Sequence, residues 1–594
     1  MKKPAAHNAA TLAFIVIMQL LLLAVVLSRL VQTRASALGA DACLGCQSAT
    51  LIQHEAGVWA VIWLLLLLIS LNSRAVRSLS LTALWGLLLI LVADVMVLQQ
   101  FGLRLYLPDV LAYGQQPRFI VDHLQKLGWW LWLPLVVAIV ALPWLVSSLA
   151  RRHLATTAAR IGLLSLSGLC LLVYALPDRT AHPLPWTYQN LVEANWSSGV
   201  DTPFSEEYLG QLMDSPDQSR SAPSCSPGLG LGGDVIVVAF ESLSWYHSSL
   251  LLDDSVGATP KLDALAADNA WWAQFLANGF TTDHGLIAML AGQLPVPAVN
   301  RYRSLDVFAG YAGDWRALPR RLAEDDYFTA FITSGDLGFL GKGDWLQGLG
   351  FDHIEGHEQA EYEGQERFSF AAVSDDLLYG RVLNWLRNER PPNEPIAAFV
   401  ETVSTHPPFI DPVSGVADER AAFRFADSAL ADFVANLDEL GYFRDGLLII
   451  VSDQRALTPI RQNELAAFGP QAGARLPLVM LGDRLPLAGR QAVAGQMLDL
   501  PFSLDFYLTD EACREPGQGN LFTGQAPDCI YQPDGNQRSV IHAFCGSDTA
   551  RIRMDGDRTR VIDGYLPDAE RRIHELNRQR ARLGVQEVNL HNVL

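Results

Sequence analysis

The sequence predicts an N-terminal bundle of about five transmembrane helices followed by an exported α/β domain, its mostly parallel sheet covered by helices. Three observations carry that reading. Long apolar segments crowd the first third of the chain. From Asp234 onward, short Val- and Ile-rich runs alternate with helical patterns. Polar residues then follow the ends of such runs in VIVVAFES (235–242), NGFTTDHG (278–285) and LLIIVSDQ (447–454).

The chain has 594 residues, too many for one domain, and half of them are hydrophobic. Five segments approach membrane length, at about 11–31, 57–72, 79–98, 129–149 and 161–177. Lys2 with Lys3, Arg74 with Arg77, and Arg151, Arg152 and Arg160 stand at alternate ends of these spans. By the positive-inside rule the N-terminus and both short loops are cytoplasmic, and everything after Pro177 is exported. A cleaved signal peptide is the rival reading of the first segment, but its long apolar stretch and the four spans behind it favour retention. Asp94 lies near the outer end of the third span, where an acid reaches the interface or a bundle partner.

Residues 1–180 hold 13 of the 44 Lys and Arg but only 6 of the 63 Asp and Glu. The exported part is therefore strongly acidic, which disfavours a nucleic-acid partner. Of seven cysteines, Cys43 and Cys46 fall in an outside loop, Cys225, Cys513, Cys529 and Cys545 in the exported domain, and only Cys170 in a span. In an oxidising compartment six such thiols suggest up to three disulfides.

Residues 178–233, rich in Pro, Ser and Gly, read as a linker with an interfacial helix near Trp186 to Trp196. In the following domain, 234–525, the order is VIVVAF, the helical pattern KLDALAADNAWWAQFLANG, FTAFITS, the helix DDLLYGRVLNWLRN, PIAAFVETV, a helix over about 419–440, then GLLIIVS and LPLVML. Val235 to Phe240 and Leu447 to Val451 are too short for ordinary helices and read as buried parallel strands. Glu241 and Asp453 thus emerge at strand C-termini, the edge at which open α/β sheets bind ligands. Two carboxylates converging there repel unless a cation or a proton separates them. Residues 526–594 form a C-terminal extension with a short strand pattern and an Arg/Glu-rich helix near 566–583.

Several ordered motifs carry a resemblance. They are Val237 to Ser242, Thr259-Pro260-Lys261-Leu262-Asp263-Ala264-Leu265, Asn278 to Asp283, Glu401 to Phe409 around Thr405-His406-Pro407-Pro408-Phe409, and Ser452-Asp453. From Gly233 to about 525 the chain resembles the sulfatase-like branch of the alkaline phosphatase superfamily, and with five spans ahead of it, the lipoteichoic acid synthase architecture. The resemblance implies an alkaline-phosphatase/sulfatase-like fold and a metal-assisted phosphotransfer site. Glu241 and Asp453 would be metal ligands, with Thr281 as nucleophile and further ligand, preferred over its neighbour Thr282. A threonine hydroxyl is a poor nucleophile unless a metal or base stabilises its alkoxide, which the two carboxylates would supply through a shared cation. His406 would touch the transferred group and assist departure of the leaving alkoxide. Lys342, in Gly341-Lys342-Gly343-Asp344-Trp345, stands where the synthases carry an arginine that holds the phosphoglycerol head, with Trp345 beside it. A lysine offers point charge without a bidentate fork.

Asp453-Gln454 departs from the Asp-His of the phosphotransferases. Gln454 offers a carbonyl oxygen instead of imidazole, which favours one hard divalent ion, Mn, Mg or Ca, over Zn. Sulfatase chemistry is disfavoured, because Thr281-Thr282-Asp283-His284-Gly285 lacks the Cys or Ser that formylglycine requires.

The resulting expectation is a phosphotransferase of the bacterial inner membrane facing the periplasm or cell exterior. It would move phosphoglycerol or phosphoethanolamine from a phospholipid to an envelope glycan or glycolipid through a phosphothreonine. The alternatives are a catalytically inactive lipid-binding regulator or scaffold of envelope biogenesis, and a phosphodiesterase or sulfatase-type hydrolase.

Overall fold

The computed structural model describes residues 44–71, 73–101, 103–114, 156–177, 189–199, 202–214, 224–252, 255–299, 307–311, 316–458, 460–515 and 517–591. It divides into two compact units, residues 1–199 and 200–594.

In the first unit, three described helices are long and apolar enough to cross a membrane: Ala49–Ile69, Arg74–Val95 and Thr157–Tyr174. They match three of the five expected spans; those at 11–31 and 129–149 lie outside the described residues. Thr156 starts the last of the three helices, its hydroxyl accepting from the Ala159 N–H at 3.2 Å. Asp94 finds a bundle partner. Its carboxylate receives Arg104 Nε at 3.1 Å and Nη2 at 2.7 Å, and the Leu105 N–H at 2.8 Å. Both side chains are buried, so the fork-to-carboxylate pair meets the need of each charge for a counter-ion. The helix Leu191–Gly199 belongs to this unit. Asn190 and Glu193 cap it reciprocally at 2.8 and 2.9 Å, and Asn190 Nδ2 also donates to the His54 carbonyl at 2.8 Å. Cys43 and the side chain of Cys46 lie outside what is described.

The second unit is organised by an eight-stranded sheet, with strands Val235–Phe240 (β1), Ala270–Trp272 (β2), Phe328–Thr333 (β3), His353–Glu355 (β4), Ile396–Glu401 (β5), Leu447–Ser452 (β6), Leu478–Leu481 (β7) and Arg490–Gln491 (β8). Their spatial order is β8-β2-β7-β6-β1-β5-β3-β4. The run β6-β1-β5-β3-β4 is wholly parallel, and β7 is antiparallel to both β6 and β2. Every residue of β1, β5 and β6 is buried, as near-continuous apolar runs in a sheet covered on both faces require. Alternate residues serve opposite cores: Val235, Val237 and Ala239 face one, and Ile236, Val238 and Phe240 the other. The registers Phe240↔Ser452 and Ala239↔Glu401 bring the ends of β6 and β5 level with the end of β1.

Two regions differ from expectation. The helical pattern at 261–279 stops at Asp268, and the chain turns into β2 and the short strand Phe275–Leu276. Asn269 closes the helix in extended backbone, and Trp271 and Trp272 suit a half-buried pleated surface better than a helix interior. The C-terminal extension carries four antiparallel strands, Ile530–Pro533, Val540–Cys545, Asp548–Arg553 and Arg560–Gly564, ahead of the helix Ala569–His591. Two disulfides close this unit, Cys225–Cys513 and Cys529–Cys545. Cys170 is a free thiol.

Candidate functional site

At the C-terminal edge of β1 and β6 the backbone leaves the sheet at Glu241 and Asp453, both buried. Between them sits Ser242, a non-glycine residue with φ +59°, a left-handed conformation that costs about 1 kcal/mol and is found where function fixes the backbone. That turn aims both of its polar groups. The Ser242 N–H donates to Asp453 Oδ1 at 2.8 Å, and its hydroxyl donates to Glu241 Oε1 at 2.6 Å. Threonines of the β5 loop hold the same turn: Thr402 Oγ1 accepts from the Glu241 N–H at 3.0 Å, and Thr405 Oγ1 donates to the Glu241 carbonyl at 2.6 Å.

A third loop closes over the carboxylates. The helix Thr282–Leu286 begins there, with Thr281 as its N-terminal flanking residue. The Thr282 hydroxyl lies 3.4 Å from Glu241 Oε2, and Gln454 Nε2 lies 3.4 Å from both Glu241 Oε1 and the Thr282 hydroxyl. These are long contacts around a small space. Thr281, the threonine preferred from the sequence, caps no N–H through its side chain; the hydroxyl the fold brings to Glu241 is that of Thr282. A Cβ on Gly285 would lie 2.1 Å from the Asp453 carbonyl oxygen, and one on Gly279 would lie 2.1 Å from His284 Cβ. Gly285 lets the helix press onto the sheet edge, and Gly279 lets the loop fold closely on itself.

Burial pushes the Glu241 carboxyl up to about 7, with the charge of Glu401 adding to it and hydrogen bonds from Ser242 and Gln454 opposing it. Asp453 is pushed well above the ordinary carboxylate range, first by burial and then by the charge of Glu241. Two buried acids that hinder each other's ionisation mark a place for a proton or a cation. Asp453 Oδ2 and Gln454 Oε1 are buried oxygens without a hydrogen-bond partner. No group of three or more His, Cys, Asp and Glu suited to a metal occurs among the described residues. Here the donors are two carboxylates, an amide and a hydroxyl, a set suited to a hard divalent ion.

His406 lies in a loop at the end of β5, half-buried, with Nδ1 2.6 Å from the Pro407 carbonyl and its ring edge-on to Phe370. A carbonyl only accepts, so Nδ1 carries a proton. The loop is anchored by Asp375, whose Oδ1 accepts from the N–H groups of Val403 and Ser404 at 3.0 Å. Lys342 points at protein: Nζ donates to both oxygens of Glu401 at 2.8 Å. Glu401 ends β5 as Glu241 follows β1, a third strand-end carboxylate legible in PIAAFVETV but passed over in the sequence. Trp345 is packed inside, stacked on Phe308 with its indole N–H on the Tyr311 carbonyl at 3.0 Å, and offers no open face to a substrate.

Residues 233–497 match the Sulfatase family. Phosphoglycerol transferase I of Xanthomonas axonopodis pv. citri (strain 306) is 24% identical over 308 residues, 48% of this chain and 42% of that protein. Phosphoglycerol transferase I of Xanthomonas campestris pv. campestris (strain B100) is 22% identical over 258 residues, 41% of this chain and 36% of that protein. The chain thus spans less than half the length of these relatives. Among solved structures, the lipoteichoic acid synthase LtaP from Listeria monocytogenes aligns with TM-score 0.45 at 16% identity, over 65% of this chain and 98% of that one. The C-terminal periplasmic domain of EcEptC from Escherichia coli, in complex with Zn, aligns with TM-score 0.40 at 15% identity, over 53% and 93%.

Proposed function

We propose, from the match of residues 233–497 to the Sulfatase family, that the chain is a membrane-anchored phosphotransferase. It moves a phosphoglycerol or phosphoethanolamine head group from a phospholipid to an envelope glycan or glycolipid, on the outer side of a bacterial inner membrane. The observation that carries this reading is the cluster itself: Glu241 and Asp453 buried together, Thr282 at their edge, and two buried oxygens awaiting a partner. The curated relatives, named phosphoglycerol transferases, support the substrate class.

Glu241, Asp453, Gln454 and Thr282 would hold one divalent ion, which when bound supplies charge stabilisation to an alkoxide and to phosphoryl oxygens. The remaining work falls to the chain. Glu241 Oε2, which faces the Thr282 hydroxyl, takes its proton as the oxygen turns its lone pair outward. The Thr282 oxygen forms a bond to phosphorus while the bond from phosphorus to the glyceryl oxygen of the lipid breaks. Protonated His406, its Nδ1–H held on Pro407, gives its Nε2 proton to the departing diacylglycerol. An acceptor hydroxyl then gives its proton to His406 Nε2 and attacks phosphorus, the bond to Thr282 breaks, and the threonine takes back its proton from Glu241.

The full chain in lipid nanodiscs tests this directly. With phosphatidylglycerol or phosphatidylethanolamine and added Mn, Mg or Ca, it should release diacylglycerol and transfer the head group to a glucan or glycolipid. A second reading, a metal-free lipid-binding regulator, is favoured by Gln454, whose amide also bridges Glu241 and Thr282. Metal analysis of the purified protein separates the two: no bound divalent ion and no diacylglycerol with either lipid would leave the regulator.

A further inference from the structure

The loop that carries Thr282 is held by chain that lies beyond residue 497, where the Sulfatase match ends. Strands Ile530–Pro533 and Val540–Cys545 pair antiparallel, with Ile530 opposite Phe544 and Gln532 opposite His542. Successive strand residues alternate between faces, so Ile530 and Gln532 share one. At the first of these positions the contact is apolar, Ile530 and Phe544 packing with Leu276 and Ala474. Two residues on, the strand meets backbone. Gln532 is buried, and its Nε2 donates to the Gly279 carbonyl and to the Gly473 carbonyl, both at 3.0 Å. The residue before Gly279 is fixed through both ends of its amide. Asn278 Nδ2 donates to Gln496 Oε1 at 2.8 Å and to the Tyr531 carbonyl at 3.1 Å, and its Oδ1 accepts from the Leu498 N–H at 3.0 Å. Gln496 is oriented in turn by Asp499, which accepts from its Nε2 at 3.2 Å and from its backbone N–H at 3.1 Å.

We infer that Gln532 is a positioning residue for the nucleophile, holding the Gly279 carbonyl so that the loop delivers the Thr282 hydroxyl to Glu241; the inference rests on the function proposed above. Apolar packing alone would seat the hairpin, as Ile530 and Phe544 do. The amide adds direction, because it fixes where two carbonyls point. Residue 279 lies against His284, and the Gly285 N–H closes on the Thr281 carbonyl at 3.0 Å, so a shift at Gly279 passes to the start of the helix Thr282–Leu286. The Thr282 hydroxyl is 3.4 Å from Glu241 Oε2 and has no slack to lose. A buried carbonyl deprived of its donor is costly enough to move the backbone that bears it. Displacing a reacting group by about 1 Å can cost about 100-fold in rate.

The test uses the full chain in nanodiscs, with Mn2+ as metal and phosphatidylglycerol or phosphatidylethanolamine as donor. Gln532→Met keeps the side-chain length and removes both donors. Gln532→Glu sets a carboxylate against two carbonyl oxygens at neutral pH and regains one donor when protonated. Ile552→Ala, buried in the strand beyond Val540–Cys545, is the control for lost stability alone. In Gln532→Met, kcat and the rate of adduct formation on Thr282 should fall by about tenfold to 100-fold, with KM for the lipid and Mn2+ affinity near wild type. The ratio of Gln532→Glu to wild-type kcat should rise as pH falls. Amides 279–286 of the metal-free chain should exchange hydrogen faster in Gln532→Met than in wild type, whereas Ile552→Ala should lower the melting temperature with kcat and this exchange near wild type. Unchanged kcat and exchange in Gln532→Met, or equal losses in Ile552→Ala, would overturn the inference alone. A wild-type chain that releases diacylglycerol from neither lipid would overturn it together with the function it rests on.

Discussion

Glu241 shows how one side chain reports on the whole site. In the metal-free fold its carboxyl is pushed up to about 7 by burial, against about 4.5 in the unfolded chain. The folded state therefore holds its proton more tightly, and stability present below about pH 4.5 is lost as pH rises through 7, by the order of a few kcal/mol. Melting temperature in the presence of chelator should fall over that window, and Glu241→Gln should flatten the profile. Thr281 and Thr282 provide the second residue-level test. Thr282→Ala should reduce turnover by about 10³-fold or more, as removal of a covalent nucleophile does, while Thr281→Ala stays within about tenfold of wild type. The sequence does not say which of the adjacent threonines a tight loop turns toward Glu241; the proposal of Thr282 rests on its contact with that carboxylate. Lys342 and Trp345, whose types suit a head-group site, are seen on Glu401 and Phe308, partners that the sequence does not name.

At the scale of elements, the site is where three chain segments converge: the ends of β1 and β6, and the start of the helix Thr282–Leu286. Gly285 governs how closely the helix approaches. Gly285→Ala would set a methyl 2.1 Å from the Asp453 carbonyl oxygen, backbone that has no flexible tip to yield. We expect a loss of about 1–3 kcal/mol in stability and of most metal affinity with every ligand intact, measured by thermal melts and Mn2+ titration. The strands were legible because buried parallel strands read as apolar runs ended by polar residues, and Glu241 and Asp453 fell at those ends. β2 was hidden within an apparent helix, since the alanines of 264–270 continue a helical pattern that only Asn269 and the tryptophan pair interrupt. The C-terminal sheet was harder still. Its strands mix arginine and aspartate with apolar residues, as in Asp548–Arg553, which is buried at alternate positions only.

For the molecule as a whole, the acidic composition after residue 180 and the basic-flanked apolar segments before it predict a topology. Reporter fusions after residues 75 and 155 should be cytoplasmic and one after residue 200 exported; a cytoplasmic report at 200 would contradict a site that meets lipid from the outer side. If the first unit anchors the chain, it raises the effective concentration of a lipid donor, so residues 200–594 alone should turn over bilayer lipid more slowly than the full chain. The central claim is a covalent relay through a threonine activated by the Glu241–Asp453 cluster, and mass spectrometry of the chain trapped with labelled phospholipid and divalent metal tests it most directly. The account predicts a phosphorylated head-group adduct on Thr282, with one diacylglycerol released per adduct and neither product in Thr282→Ala or Glu241→Ala. An adduct on Thr281 would contradict the assignment of the nucleophile, and head-group transfer with no protein adduct would contradict the relay.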